Sequence, residues 1–286
     1  MTKRVGVLCG LLVFILVSCN VQERIVFNEN MGGHYETSFD LSAMMTMANE
    51  MGGGASNPDK KKTKTDTVIV FADLIRDHKD SIAGLPAEDR AKIEKLKDFT
   101  MAMKMDEANG EFKMNISKDF TTFSELERVA YEVDEVFDQA KSEVQKEQSA
   151  PGGDMMSLDK VIYTFENNTF RRTDPKSLSE HLEDEGLLKE ETKLDLEALK
   201  NNLTSDEEES QEEAMLKGMM SQFTTELENA TMKLEYVFPR KVISVSPEGA
   251  VISEDGKTVT FVVPWSELME EKTKVLENFE VVLEDK

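Results

Sequence analysis

From Phe99 to Ser117 the chain alternates with a period of two. Phe99, Met101, Met103 and Met105 interleave with Thr100, Ala102, Lys104 and Asp106. After Glu107-Ala108-Asn109-Gly110, Phe112, Met114 and Ile116 interleave with Lys113, Asn115 and Ser117. That period on both sides of an Asn-Gly turn belongs to an antiparallel strand pair with one buried face and one wet face. A helix would scatter these apolar residues around its circumference. The stretch is therefore committed to a sheet that another layer must cover.

Similar patterns recur along the chain. Residues 22–28 and 34–41 flank the turn Met31-Gly32-Gly33, with Tyr35, Thr37, Phe39 and Leu41 on one face. Residues 161–165 lead through Asn167-Asn168 towards Phe170. Near the end, Met232, Leu234, Tyr236 and Phe238 alternate, and residues 242–245 form a further strand. Asp255-Gly256 turns a hairpin into 258–263, and Phe279, Val281 and Leu283 finish the chain.

Helical segments lie between the strands. Ser42 is placed to cap a short helix with Met44, Met47, Ala48 and Met51 on one face. A strand at 67–71 precedes helical sequence broken near Gly84 and Pro86. Thr122 and Glu125 form a capping box for a helix that turns Phe123, Leu126, Val133, Val136, Phe137 and Ala140 inward. Asp174-Pro175 starts a long helical stretch that breaks near Ser205 and runs to about residue 228, and residues 265–273 hold a short helix.

Hairpins alternating with helices, without repeated βαβ units, predict an α+β fold. The expected architecture is an antiparallel sheet built from hairpins packed against several helices, with a helical acidic insertion. Early and late strands share that sheet, so residues 23–286 form a single domain. It carries a flexible loop at 52–65, a linker at 148–157 and a mainly helical insertion at 175–228.

The first 18 residues stand apart. Lys3 and Arg4 precede an apolar run from Val5 to Val17 and a small residue, Ser18. Charge, apolar run and small residue make a signal peptide, too short to span a bilayer core of roughly 30 Å. Leu16-Val17-Ser18-Cys19 resembles the lipobox of bacterial lipoproteins. The resemblance implies cleavage between Ser18 and Cys19 and lipid attached to the Cys19 thiol. Each buried methylene of an attached chain contributes about 0.8 kcal/mol, and stable anchoring takes two chains or more. Residues 19–22 are read as a short tether, which keeps the body within about 15 Å of the membrane at roughly 3.5 Å per residue.

Cleavage removes Lys3 and Arg4 and no acid, taking the formal charge from −23 to −25. So acidic a body is a poor partner for nucleic acid, whose phosphates need Lys and Arg. Cys9 leaves with the leader and Cys19 is consumed by lipid, so the mature fold has no internal disulfide.

Tyr236-Val237-Phe238-Pro239-Arg240-Lys241-Val242-Ile243-Ser244-Val245, followed by Asp255-Gly256-Lys257-Thr258-Val259, resembles LppM-like envelope lipoproteins, as does the hairpin directly after Cys19. The resemblance covers about a third of the chain. It implies an envelope-facing α+β domain without established catalytic residues. The acidic helical region has no counterpart in it.

No Gly-rich phosphate loop, Gly-x-Ser-x-Gly elbow or His-Glu-x-x-His motif occurs. His34, His78 and His181 fall in separate elements and read as surface residues. The run Asp206-Glu207-Glu208-Glu209 lacks the spaced ligands and glycine turn of a calcium loop and suits a first helical turn capped by Ser205. The turns at 106–111 and 254–257 read as hairpin turns. Met101, Met103 and Met105, and Met44, Met45 and Met47, resemble thioether clusters that hold Cu(I), although methionine beside Phe99 also serves as core filling. Lys60-Lys61-Lys62 is a basic loop that lipid phosphates could meet. Asp66-Thr67-Val68 and Asp80-Ser81-Ile82 look like O-glycan acceptor sites and read as chance matches.

The expected function is that of a non-enzymatic, membrane-anchored envelope lipoprotein with a binding or scaffolding role. It is expected at the outer membrane facing the periplasm, with no cofactor, no catalytic residue and no metal site. Its membrane contact runs through Cys19, and its protein partner or amphiphilic ligand is unspecified. The alternatives are a carrier of a lipid or amphiphile in an apolar cavity, and a Cu(I)-binding protein.

Overall fold

In a computed structural model of the chain, the alternating segments form strands that place their apolar parity on a common face. The structure describes residues 20–48, 63–129, 132, 133, 161–173, 225, 229–269, 276 and 278–285. The strands are β1 (Asn20–Phe27), β2 (Gly33–Asp40), β3 (Lys64–Val70), β4 (Phe99–Asp106), β5 (Glu111–Phe120), β6 (Ile162–Glu166), β7 (Thr169–Thr173), β8 (Thr231–Val237), β9 (Val242–Ser246), β10 (Val251–Ile252), β11 (Thr258–Pro264) and β12 (Phe279–Leu283). Helices α1 (Ser42–Ala48), α2 (Phe71–Asp77), α3 (Lys79–Ala83), α4 (Ala87–Lys95) and α5 (Trp265–Met269) join them, with a 3-10 turn at Leu96–Asp98. Residues 123–129 are also helical. The fold is α+β, as its pattern predicts.

Eight strands make one sheet in the order β10-β11-β8-β1-β2-β5-β4-β3, and four make a second, β6-β7-β12-β9. Early and late strands do share a sheet. β1 pairs in parallel with β8 from Asn20↔Thr231 to Val26↔Val237, and antiparallel with β2. The two expected N-terminal hairpins are present in register, with Met103 opposite Met114 across the β4–β5 pair.

The second sheet was not separable by periodicity. Residues 162–173, 242–246 and 279–283 leave the large sheet and stack upon it. The switch occurs at Phe238-Pro239: β8 ends at Val237, Phe238 is buried, and Arg240 donates to Asn168 Oδ1 and the Glu284 carbonyl. Proline cannot continue a central ladder, so the chain turns out of the first sheet there.

The core lies between the layers. Phe27 of β1 meets Phe170 of β7 and Phe238 at ring distances of 5.4 and 5.2 Å, while Tyr236 of β8 meets Phe279 of β12 at 5.3 Å. The helix at 123–129 covers the β2–β5 side. Phe123 stacks on Phe27, Leu126 and Val129 are fully buried, and Val133 continues that face. Burial of each such side chain contributes about 1.5–3 kcal/mol, which must hold a domain without disulfides together.

Glycine is required at one crossing. A Cβ on Gly33 would stand 1.9 Å from the Val26 carbonyl oxygen, because β1 and β2 close their turn there.

Several expectations shift. β1 starts at Asn20 rather than Gln22, so residues 20–22 belong to the sheet and not to a tether. β3 starts at Lys64, which takes the last two residues of the 52–65 loop into a strand, and Phe71 opens α2. Ser42 does not cap α1 with its side chain. Its hydroxyl donates to Asp40 and accepts from the Phe112 amide, tying the helix to β2 and β5. At the predicted capping box, Glu125 reaches past Thr122 to the amide and hydroxyl of Thr121. The linker 148–157, nearly all of the 175–228 insertion, and Val136, Phe137 and Ala140 lie outside the described residues, as do the side chains of Met44 and Met47.

Candidate functional site

Alternation places one charged residue of β1, Glu23, on the same inward face as Ile25 and Phe27. β7 does the same with Arg172, two positions from Phe170. Stacking of the sheets brings these side chains together. Both are 1% exposed, and the guanidinium Nε and Nη2 lie 3.4 Å from the carboxylate. Register adds the rest: Glu23 faces Thr37 in β2 and Leu234 in β8, and Ile25 lies between Tyr35 and Tyr236. Tyr236 donates its hydroxyl to Glu23 at 2.5 Å. The hydroxyls of Tyr35, Thr37 and Tyr163 are buried together beside this pair.

The electrostatics define what this cluster can do. Burial, and then the Glu23 charge, raise the pKa values of Tyr35, Tyr163 and Tyr236 well above the usual 10. All three phenols remain protonated at neutral pH. Tyr236 is a donor to the Glu23 carboxylate, and none of the three serves as a base or nucleophile. The cluster is closed to water and ties the two sheets at one fixed point.

A second feature lies on the opposite, wet face of the large sheet. A groove of about 320 Å³ opens beside Asn20, with Asp40, Lys104, Lys113 and Asp66 along it. Those residues share one row across the sheet, because Asn20 pairs with Asp40, Asp40 with Lys113, Lys113 with Lys104, and Lys104 with Asp66. Lys113 approaches Asp40 and Glu111, and Lys104 pairs with Glu111 at 2.9 Å, which holds the Glu111 carboxyl below its usual range.

Residues singled out from the sequence scatter. Cys19 and Ser18 lie outside the described residues, as do His181, Lys60-Lys61-Lys62 and Asp206-Glu207-Glu208-Glu209. His34 is on β2, 2.7 Å from the exposed Asp119, and His78 joins α2 to α3. They do not meet. Among the described residues no group of three or more His, Cys, Asp or Glu is placed to hold a metal ion. Met101, Met103 and Met105 share the inward parity of β4 but are only half-buried, facing Ile116, Met114 and Phe112 of β5.

The two turns expected to be hairpins are so. Asp106 accepts from Ala108, Asn109 and Lys64, and Asp255 accepts from Ser253 and Lys257. Thr67 and Ser81 fall in β3 and α3. Among the described residues no helix is long and apolar enough to cross a membrane.

No protein family and no curated protein matches this chain. Among solved structures it is similar to the NMR structure of the folded domain of LppM from Mycobacterium tuberculosis, at 8% identity and a TM-score of 0.34. That match covers 93% of this chain and 91% of the other. A likeness of that size transfers no residue role.

Proposed function

We propose that this chain is a non-enzymatic bacterial envelope lipoprotein, acylated on Cys19 and held at the outer membrane on its periplasmic side, where its α+β body binds or scaffolds a partner. The observation that carries the reading is the sequence Leu16-Val17-Ser18-Cys19 at the end of the apolar leader, followed at once by the first residue of a central strand. A lipid on Cys19 fixes the body to the bilayer with no slack. The non-enzymatic part is supported by the chemistry of the buried cluster, whose phenols stay protonated and whose charged pair has no access to water. The binding part is supported by the groove beside Asn20, which the anchor brings to the membrane surface.

The test is fractionation of cells expressing the full chain and its Cys19→Ser variant. The native protein should remain with membranes after alkaline washing, and the variant should be released. Retention of the variant would refute the lipid anchor. Turnover of an envelope substrate by the purified body, abolished by a point substitution, would refute the non-enzymatic role.

A further inference from the structure

The strand that follows Cys19 is pinned on both sides. Asn20 pairs with Asp40 in β2 and with Thr231 in β8, and the Thr231 hydroxyl donates to the Asn20 side chain at 2.7 Å. One peptide separates Asn20 from Cys19, with their Cα atoms about 3.8 Å apart. The sheet therefore begins at the residue next to the acylation site, and the direction of β1 sets which end of the molecule meets the bilayer.

Register shows what else stands at that end. Pairing continues one step past Asp40, where the Leu41 amide donates to the Phe112 carbonyl at 2.8 Å. Asn20 stands, through Asp40, level with Lys113, one strand position short of Phe112. The β4–β5 hairpin continues outward from Phe112 by the pair Asp106↔Glu111 and then by the turn Glu107-Ala108-Asn109-Gly110. One further pair adds about 3.4 Å and the turn extends beyond it. The headgroup layer is about 5–8 Å thick on each side of the hydrocarbon core. The opposite end, the turn after Phe27, lies eight strand residues away, about 26 Å.

Among the described residues the charges around this hairpin are largely matched. Lys64 pairs with Asp106, and Lys104 and Lys113 with Glu111. Glu107 is drawn back to the Thr63 amide. In a body as acidic as this one, such a face suits zwitterionic headgroups, which neither attract nor repel it strongly.

The geometry points to the tip of the β4–β5 hairpin, residues 107–110, as a second membrane contact that seats the body upright on a zwitterionic headgroup layer. This rests on acylation of Cys19. The mature, acylated chain has no free thiol, so one introduced cysteine can be labelled selectively. Ala108→Cys and Asn30→Cys, both exposed turn positions, are each labelled with a fluorophore in the full lipidated protein. The protein is inserted into phosphatidylcholine vesicles carrying a headgroup-bound quencher, and intact mass is recorded on the same samples.

The label at 108 should be quenched at least threefold more than the label at 30. Thr63→Cys, next to the hairpin, repeats the reading should the turn reject the label. Equal quenching at both ends, or more at 30, with Cys19 acylated, overturns the seating while leaving the anchor intact. An unmodified Cys19 removes the anchor and the seating together.

Discussion

Glu23 and Arg172, 149 residues apart in the chain, meet in the closed space between the two sheets, their charged groups 3.4 Å apart and both side chains 1% exposed. Neither has water to fall back on. Removing one partner leaves a buried charge uncompensated, at a cost of about 3–5 kcal/mol, whereas replacing both with apolar groups of similar size is often neutral. Arg172→Met alone should therefore destabilise the purified body by about that amount in chemical denaturation. Glu23→Leu combined with Arg172→Met should recover part of the loss, the remainder being the cost of leaving the Tyr236 hydroxyl without its acceptor. A double variant no more stable than the single one would mean that the pair does not act as a unit.

The tyrosines around that pair predict an alkaline limit. Three of the four tyrosines in the chain, Tyr35, Tyr163 and Tyr236, hold their protons in the folded state beyond pH 10, where a free phenol loses its own. An unfolded chain would release them near pH 10. Unfolding thus releases protons above that pH, and stability is full below it and falls as pH rises past it. With three such groups the slope approaches about 4 kcal/mol per pH unit. Tyrosinate absorbance should rise for these three in one step that coincides with loss of near-ultraviolet dichroism. Gradual ionisation of all tyrosines in a protein still folded would contradict their burial.

How these residues escaped sequence reading is instructive. The hairpins were legible because their parity is consistent: the register around Asn109-Gly110 and the turns at Asn167-Asn168 and Asp255-Gly256 stand where the pattern puts them. Glu23 has the parity of Ile25 and Phe27, and Arg172 that of Phe170, so both carried a signal: a charge on the apolar side of a strand. That signal is weak near a strand end, where a charge normally reaches water, and the sequence pattern puts the start of this strand at Gln22, next to Glu23. The stacking of a second sheet supplies the partner, and stacking is a long-range fact that no period reveals. The start of β1 at Asn20 was missed for a related reason. Asn20 and Gln22 have little strand propensity, Val21 between them is too short a signal alone, and the two neighbours β2 and β8 impose the conformation.

The close approach at the first hairpin gives a local test. At Gly33 a methyl group would have to push the Val26 carbonyl away from a distance of 1.9 Å, which means opening the end of the β1–β2 ladder. Gly33→Ala should lower stability by about 3 kcal/mol, at the high end of single substitutions. Ala substituted at Gly84, where the nearest atom is 3.4 Å away and φ is negative, should cost far less. Similar midpoints for the two variants in urea would show that the turn is looser than its geometry indicates.

The compartment and the upright seating both follow from the chemistry at one sulfur. Intact mass of the protein extracted from native membranes, with sequencing of its first peptide, reads that chemistry directly. The expected product begins at Cys19 and carries a diacylglyceryl group with or without a further acyl chain. A chain that begins elsewhere, or an unmodified thiol at Cys19, would contradict it.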